Sequence, residues 1–201
     1  MEDDLGDKPP RERPNMLTTL LRDLRTQPPT VVDAEVVIDF PDSRFPDVEA
    51  AWTADRRQLL SAEHRHWDWL RKLGHPDYRY VAITIGPSVE GLMAVAKVPR
   101  PSQLTVGVSS LYVGFIEAAP WNLAAHPNGV RFSGTGSSLL ATACRMSADA
   151  GLGGRVLLSS LAQAESFYRR CGMTECGPNY TLVYFEHSEA DAASFRARVG
   201  I

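Results

Sequence analysis

The chain has 201 residues, which suits one ordinary domain or one domain with a tail. Its 24 acidic and 21 basic residues leave a formal charge of -3, without the basic surplus of a dedicated nucleic-acid binder, so no nucleic-acid partner is expected. A hydrophobic share of 44% with 22% charged residues excludes wholesale disorder, and no apolar run approaches the ~20 residues that span a bilayer. The first residues, Met1-Glu-Asp-Asp-Leu-Gly, lack the basic and apolar regions of a secretory signal. Cys144, Cys171 and Cys176 have no CxxC spacing and suit neither a disulfide framework nor a zinc ribbon. A cytoplasmic protein with no metal and no membrane contact is the expectation.

Residues 1–30 hold five of the 14 prolines and a near-even mixture of six acidic and five basic side chains. Pro9, Pro10 and Pro14 forbid a continuous helix at the start. Asn15 can cap a short amphipathic helix in which Met16, Leu17, Leu20, Leu21 and Leu24 share one face, and Pro28 with Pro29 closes it. Residues 1–29 therefore read as a tail with one helix, docked on the body or making a homodimer or partner contact. Residues 30–201 read as the main domain.

From Thr30 to Phe40 the pattern alternates, with Val32, Ala34, Val36, Ile38 and Phe40 on one side of a strand. Helical spacing follows from Pro46 to Leu73 through Val48, Trp52, Leu59, Leu60, Trp67 and Leu70, as one helix or two, ending at Gly74 and Pro76. Tyr80–Ile85 and Leu92–Val98 suggest a hairpin around Gly86-Pro87-Ser88. Leu111–Glu117 is a further strand, and 118–130 is a loop holding Trp121, Asn122 and His126. A helix begins near Gly136 with a stripe of Leu139, Leu140, Ala143, Met146 and Ala150. Arg155–Ser159 is a short buried strand, and a helix runs from Gln163 to Gly172. Met173–Cys176 and Tyr180–Glu186 are strands joined by Gly177-Pro178-Asn179, and Ser188 with Asp191 caps a last short helix. This order implies an α/β fold, a mixed sheet covered by helices.

Arg131-Phe132-Ser133-Gly134-Thr135-Gly136 lies between a strand and an amphipathic helix. Its glycines let a ligand approach the backbone, and the helix N-terminus is a natural seat for phosphate. Gly129 and Gly134 have the Walker spacing, but Thr135 and Gly136 stand where Lys and Ser/Thr are required. A dinucleotide fingerprint would need a third glycine and a downstream acid. A second motif, Ala164-Glu165-Ser166-Phe167-Tyr168-Arg169-Arg170-Cys171-Gly172-Met173, starts 28 residues after Gly136. His64-Arg65-His66 suggests a metal, but residues two apart on a helix point apart, so a solvated face is the simpler reading. The cysteines read as packing residues.

The pair of motifs resembles the GNAT superfamily of acetyl-CoA-dependent N-acetyltransferases. Arg131, Gly134 and Gly136 match its pyrophosphate loop, and Ala164, Phe167, Tyr168, Gly172 and Met173 match its later helix. The likeness is specific over Leu111–Glu186 and vague before Tyr80. It implies a mixed, mostly antiparallel central sheet flanked by helices, with acetyl-CoA as cosubstrate. It also implies that backbone amides from Phe132 to Ser137 (Phe132, Ser133, Gly134, Thr135, Gly136 and Ser137, beside Arg131) hold the pyrophosphate. Leu111–Glu117 would be a splayed central strand beside the pantetheine arm. Tyr168 would protonate the leaving thiolate, and Glu117, at the strand end, would be the base that deprotonates an amine acceptor. His126 is its runner-up, and Trp121, Asn122 and His126 are candidate acceptor contacts, although a lid on the apolar core is the simpler reading of Trp121.

Two departures stand out: Leu161 replaces a frequent Asn, and the 118–130 loop is long, which suggests a private acceptor site. The acceptor, a small molecule or a protein amine, is left open. The rival readings are a non-catalytic CoA-binding module and an interaction protein.

Overall fold

The computed structural model describes residues 17–59, 63, 66–72 and 75–201. Its elements in chain order are β1 (Leu17–Asp23), β2 (Thr30–Ile38), α1 (Phe45–Arg56), α2 (Trp69–Lys72), β3 (Tyr78–Ile85), β4 (Ser88–Ala96), β5 (Arg100–Pro101) and β6 (Ser109–Ala118). Then come β7 (Phe132–Ser133), α3 (Thr135–Asp149), β8 (Val156–Ser160), α4 (Glu165–Cys171), β9 (Thr174–Asn179), β10 (Leu182–His187) and α5 (Glu189–Val199). Ten strands form one sheet in the order β7-β1-β2-β3-β4-β6-β8-β10-β9, with β5 paired to β6. Among the described residues every pairing is antiparallel except that of β6 with β8. The expected mixed, mostly antiparallel sheet flanked by helices is what forms.

Both faces of the sheet are covered, which is why β3 and β4 read as nearly continuous apolar runs. Val81 and Ile83 pack with Leu139, Leu140, Ala143 and Phe195 of α3 and α5. Tyr80, Ala82 and Leu92 pack on the other face with Phe45, Val48, Trp52 and Trp69 of α1 and α2. Pro46 sits in the first turn of α1, where its missing N–H costs no hydrogen bond. Ser188 caps α5 as expected, its Oγ accepting from the Asp191 N–H at 3.2 Å.

Two expectations are corrected and one open choice is decided. Residues 17–23 are a strand, not part of a helix: β1 pairs with β2 along its whole length, from Leu17 opposite Val36 to Asp23 opposite Thr30. Leu17, Leu20, Leu21 and Leu24 satisfy a helical stripe, but the buried set alternates as Thr19, Leu21 and Asp23, and Leu20 is 61% exposed. A strand completed on both sides by β2 and β7 overrides that local pattern. This segment therefore belongs to the sheet rather than to a tail; Asn15 and Met16 lie outside the described residues. The region left open as one helix or two holds two, α1 stopping at Arg56 and a separate short α2 starting at Trp69; Leu60, His64, Arg65 and Gly74 lie outside the described residues. The second correction is that Gly177-Pro178-Asn179 lie within β9, and the hairpin turns at Tyr180, whose φ is 55°.

Candidate active site

A cleft of about 540 Å³ opens where the parallel pair parts. Strand β6 is matched to β8 only from Leu111 opposite Val156 to Val113 opposite Leu158. At the same point β6 bulges against β4: Val95 faces Val113, Ala94 faces Phe115, and Gly114 is the extra residue. A Cβ at Gly114 would stand 2.5 Å from the Tyr78 ring, which would have to move to admit any side chain there. Beyond the bulge, Ile116, Glu117 and Ala118 form one wall of the cleft, and Ser159, Leu161, Ala164, Phe167 and Tyr168 form the other.

The glycine loop closes one end. Gly134, with φ 102°, ends β7 and precedes α3, and Ser133, Gly134, Thr135, Gly136 and Ser137 all line the cleft. The Ser138 N–H already donates to the Gly134 carbonyl at 2.9 Å, which leaves the first-turn amides before it without intrahelical acceptors. No acidic side chain occupies that turn, and the buried Thr135 hydroxyl has no hydrogen-bond partner among the described residues. Gly136 lies against Phe167, where a Cβ would come within 3.1 Å of the ring. Bare amides, a positive helix end and close packing fit a pyrophosphate.

Strand β1 braces this loop. Arg22 and Asp23 pair with Ser133 and Phe132, the Leu24 N–H donates to the Arg131 carbonyl at 3.0 Å, and the Thr19 and Ser138 hydroxyls meet at 2.8 Å.

Two of the named residues in this stretch have other duties. The Phe132 N–H is taken by Asn122 Oδ1 at 2.8 Å, which removes it from the proposed amide cradle. Arg131 does not line the cleft; its guanidinium lies 4.9 Å from the Trp121 ring centroid.

Tyr168 and Glu117 both line the cleft. Tyr168 sits on α4 between Phe167 and Phe185, with ring centroids at 5.2 and 5.8 Å. Burial pushes its phenol above the ordinary value, so it is protonated at neutral pH. Glu117 is almost wholly buried. Its carboxylate accepts from Arg56 Nε at 3.1 Å and from the Trp69 indole N–H at 2.6 Å. Arg56 also donates to Glu49 at 2.6 Å and to the Trp67 carbonyl at 2.8 Å. One guanidinium thus serves two carboxylates and fully compensates only one. Burial, opposed by Arg56 and Trp69, pushes Glu117 up to about 7.

Asn122 lines the cleft but acts as a brace, its amide donating to Glu90 Oε2 at 2.8 Å while its oxygen holds Phe132. Trp121 does not reach the cleft: it is a core residue, edge-on to Trp52 at 6.4 Å, with its indole N–H on Glu90 at 2.7 Å. An indole with a carboxylate partner inside an aromatic cluster is better satisfied there than at an open wall. His126 is also buried away from the lining, 3.9 Å from Asp55. The Glu49–Arg56–Trp69 support of Glu117 was not anticipated. Its trace in the sequence is Glu49 and Arg56 seven apart on the buried face of an amphipathic helix, where solvated charges are not expected.

No protein-family model matches the sequence, and no curated protein matches it. Solved structures do match in fold. The PaiA N-acetyltransferase of Thermoplasma acidophilum, determined with coenzyme A, superposes at TM-score 0.55 with 11% identity, covering 78% of this chain and 99% of that one. A GNAT-family acetyltransferase of Listeria monocytogenes gives 0.53 at 12%, covering 78% and 95%. A chain of the KacTA–DNA complex gives 0.50 at 15%, covering 82% and 99%. With its parted central strands, glycine loop and flanking helices, the chain has the fold of the GNAT acetyltransferases.

Proposed function

We propose that the protein is an acetyl-CoA-dependent N-acetyltransferase that moves an acetyl group to a primary amine by direct attack. The observation that carries this reading is convergence: the bare helix N-terminus, Tyr168 and Glu117 open onto one cleft at the point where β6 leaves β8. The PaiA structure with coenzyme A supports the choice of cosubstrate.

In this reading the first-turn amides of Thr135, Gly136 and Ser137 hold the pyrophosphate, and the backbone of β6 beyond Val113 offers its unpaired edge to the pantetheine amides. Glu117 takes a proton from the acceptor ammonium. The free amine attacks the thioester carbonyl, the C–N bond forms, and the C–S bond breaks. Tyr168 gives its proton to the departing thiolate, and the phenolate is reprotonated by the proton that the attacking nitrogen sheds as the amide forms. A base near 7 and a phenol kept neutral by burial suit these two roles. Because a thioester is already activated, orientation supplies much of the remaining rate.

No helix among the described residues is long and apolar enough to cross a membrane. A DNA complex among the similar folds means that the expected absence of a nucleic-acid partner forms no part of the proposal. The test is a panel of primary amines offered with acetyl-CoA, with free thiol as readout. Amine-dependent thiol release supports the assignment. Tight CoA binding without release for any amine would instead make the protein a CoA-binding module.

A further inference from the structure

Among the described residues that line the cleft there is one carboxylate, Glu117 on β6, and one cation, Arg170 on α4. Arg170 stands three positions after Phe167, so the two share a face of α4. Phe167 packs against Gly136 in the first turn of α3, which brings the Arg170 side chain to the end of the cleft that holds the bare amides. Its neighbour Arg169 is neutralised by Glu165 at 2.8 Å and Glu175 at 2.6 Å. Arg170 has no carboxylate within ion-pair distance among the described residues; its Nη1 donates to the Ser166 hydroxyl at 3.3 Å, a bond within its own helix. Both arginines complement the negative end of α4, so the difference in their partners is what assigns Arg170 a further role. Two arginines that flank the glycine loop are committed elsewhere: Arg25 chelates Asp23 at 2.7 and 2.9 Å, and Arg131 lies over Trp121. The 118–130 loop adds Leu123, Ala124, Ala125 and Val130 to the lining, and none of these side chains can meet a phosphate charge.

Resting on the reading of this cleft as a CoA site, we propose that Arg170 recognises the 3′-phosphate of the CoA nucleotide. The neutral amides of α3, with a helix dipole worth about half a charge, seat the pyrophosphate. A phosphate monoester carries about -1.5 to -2 charges at pH 7 and three acceptor oxygens. It calls for a full cation, and an uncompensated guanidinium fork matches it in charge and in geometry. The ligand class is therefore a nucleotide that bears a phosphate monoester beside its pyrophosphate, in preference to the same nucleotide without it. Arg170 selects the donor at the nucleotide end, whereas Glu117 and Tyr168 act at the thioester end.

The probes are CoA and 3′-dephospho-CoA, each titrated calorimetrically into the full-length wild type, Arg170→Gln and Arg169→Gln, with folding checked by circular dichroism. Both arginines are exposed, so neither substitution removes a core contact. Wild type is expected to bind CoA at least about tenfold tighter than 3′-dephospho-CoA, and Arg169→Gln to keep that preference. Arg170→Gln is expected to bind the two nucleotides within about twofold of each other. Should Arg170→Gln fail to fold, Arg170→Ala takes its place with the same expectation. Equal binding of the two nucleotides by wild type would overturn the subsite. So would a folded Arg170 variant that keeps the preference, or an Arg169→Gln that loses it. Binding of neither nucleotide by folded wild type removes the CoA reading and the subsite with it, whereas equal binding of both removes the subsite alone. A preference lost in Arg170→Gln, without thiol release for any amine, leaves the subsite standing and removes the acetyltransferase reading.

Discussion

Replacing Glu117 by Gln keeps the shape of the buried carboxyl and deletes its charge, leaving Arg56 matched one-to-one by Glu49 at 2.6 Å. In the folded protein Glu117 titrates at about 7 rather than at its ordinary 4.5, because burial outweighs the help of Arg56 and Trp69. A folded value above the unfolded one means that the native state binds this proton more tightly. The stability this confers is complete below about 4.5 and is lost as pH rises through about 7. A displacement of that size corresponds to about 3 kcal/mol. Urea denaturation of wild type and Glu117→Gln at pH 5 and pH 8 measures it. The variant should gain about 2–3 kcal/mol relative to wild type between the two pH values. In parallel, the acidic limb of the kcat/KM profile near pH 7 should disappear. Stability profiles that run parallel from pH 5 to 8 would refute the shared-guanidinium argument. An acidic limb that survives in the variant would refute Glu117 as the base.

Three further outcomes are expected. Tyr168→Phe keeps the ring between Phe167 and Phe185 and should lower kcat about a hundredfold with CoA affinity unchanged; steady-state kinetics with wild-type turnover would make the tyrosine a packing residue. Asn122→Ala strips the Phe132 N–H of its partner and Glu90 of one of its donors, and should cost about 1–3 kcal/mol in chemical denaturation, with weaker CoA binding as the loop loses its brace. Leu21→Ala should cost about 2–5 kcal/mol, since Leu21 is fully buried in the core beneath Gly134; a change below 0.5 kcal/mol, roughly the size of a surface substitution, would show that β1 is dispensable.

The half of the chain from Leu111 onward was the more legible. Glycines at 134 and 136 before an apolar stripe, and Tyr168 before Gly172, are local signals that need no distant partner to be read. The amino-terminal strand was not legible, because Leu17, Leu20, Leu21 and Leu24 satisfy a helical spacing while pairing with β2 and β7 is decided elsewhere in the chain. The bulge at Gly114 left only an unremarked glycine within an apolar run, since its meaning lies in the Tyr78 ring that fills its side-chain space. Glu117 could be picked out at a strand end, but not Arg56, whose charge looks like any other on a helix until α1 is packed on the sheet. The loop position of Trp121 suits a lid on the apolar core or an acceptor wall alike; the carboxylate of Glu90, 31 residues away, holds it in the core.

The central claim, that the first turn of α3 seats the phosphates of CoA, is tested most directly by calorimetric titration of CoA into wild type and Ser137→Asp. Ser137 lines the cleft at the third helical position, where an aspartate favours the helix dipole and so preserves the fold while placing a negative charge against the phosphates. Saturable one-to-one binding by wild type, weakened at least about tenfold in a variant of undiminished Tm, is the predicted result. No binding by folded wild type, or equal affinity in the two proteins, would contradict it.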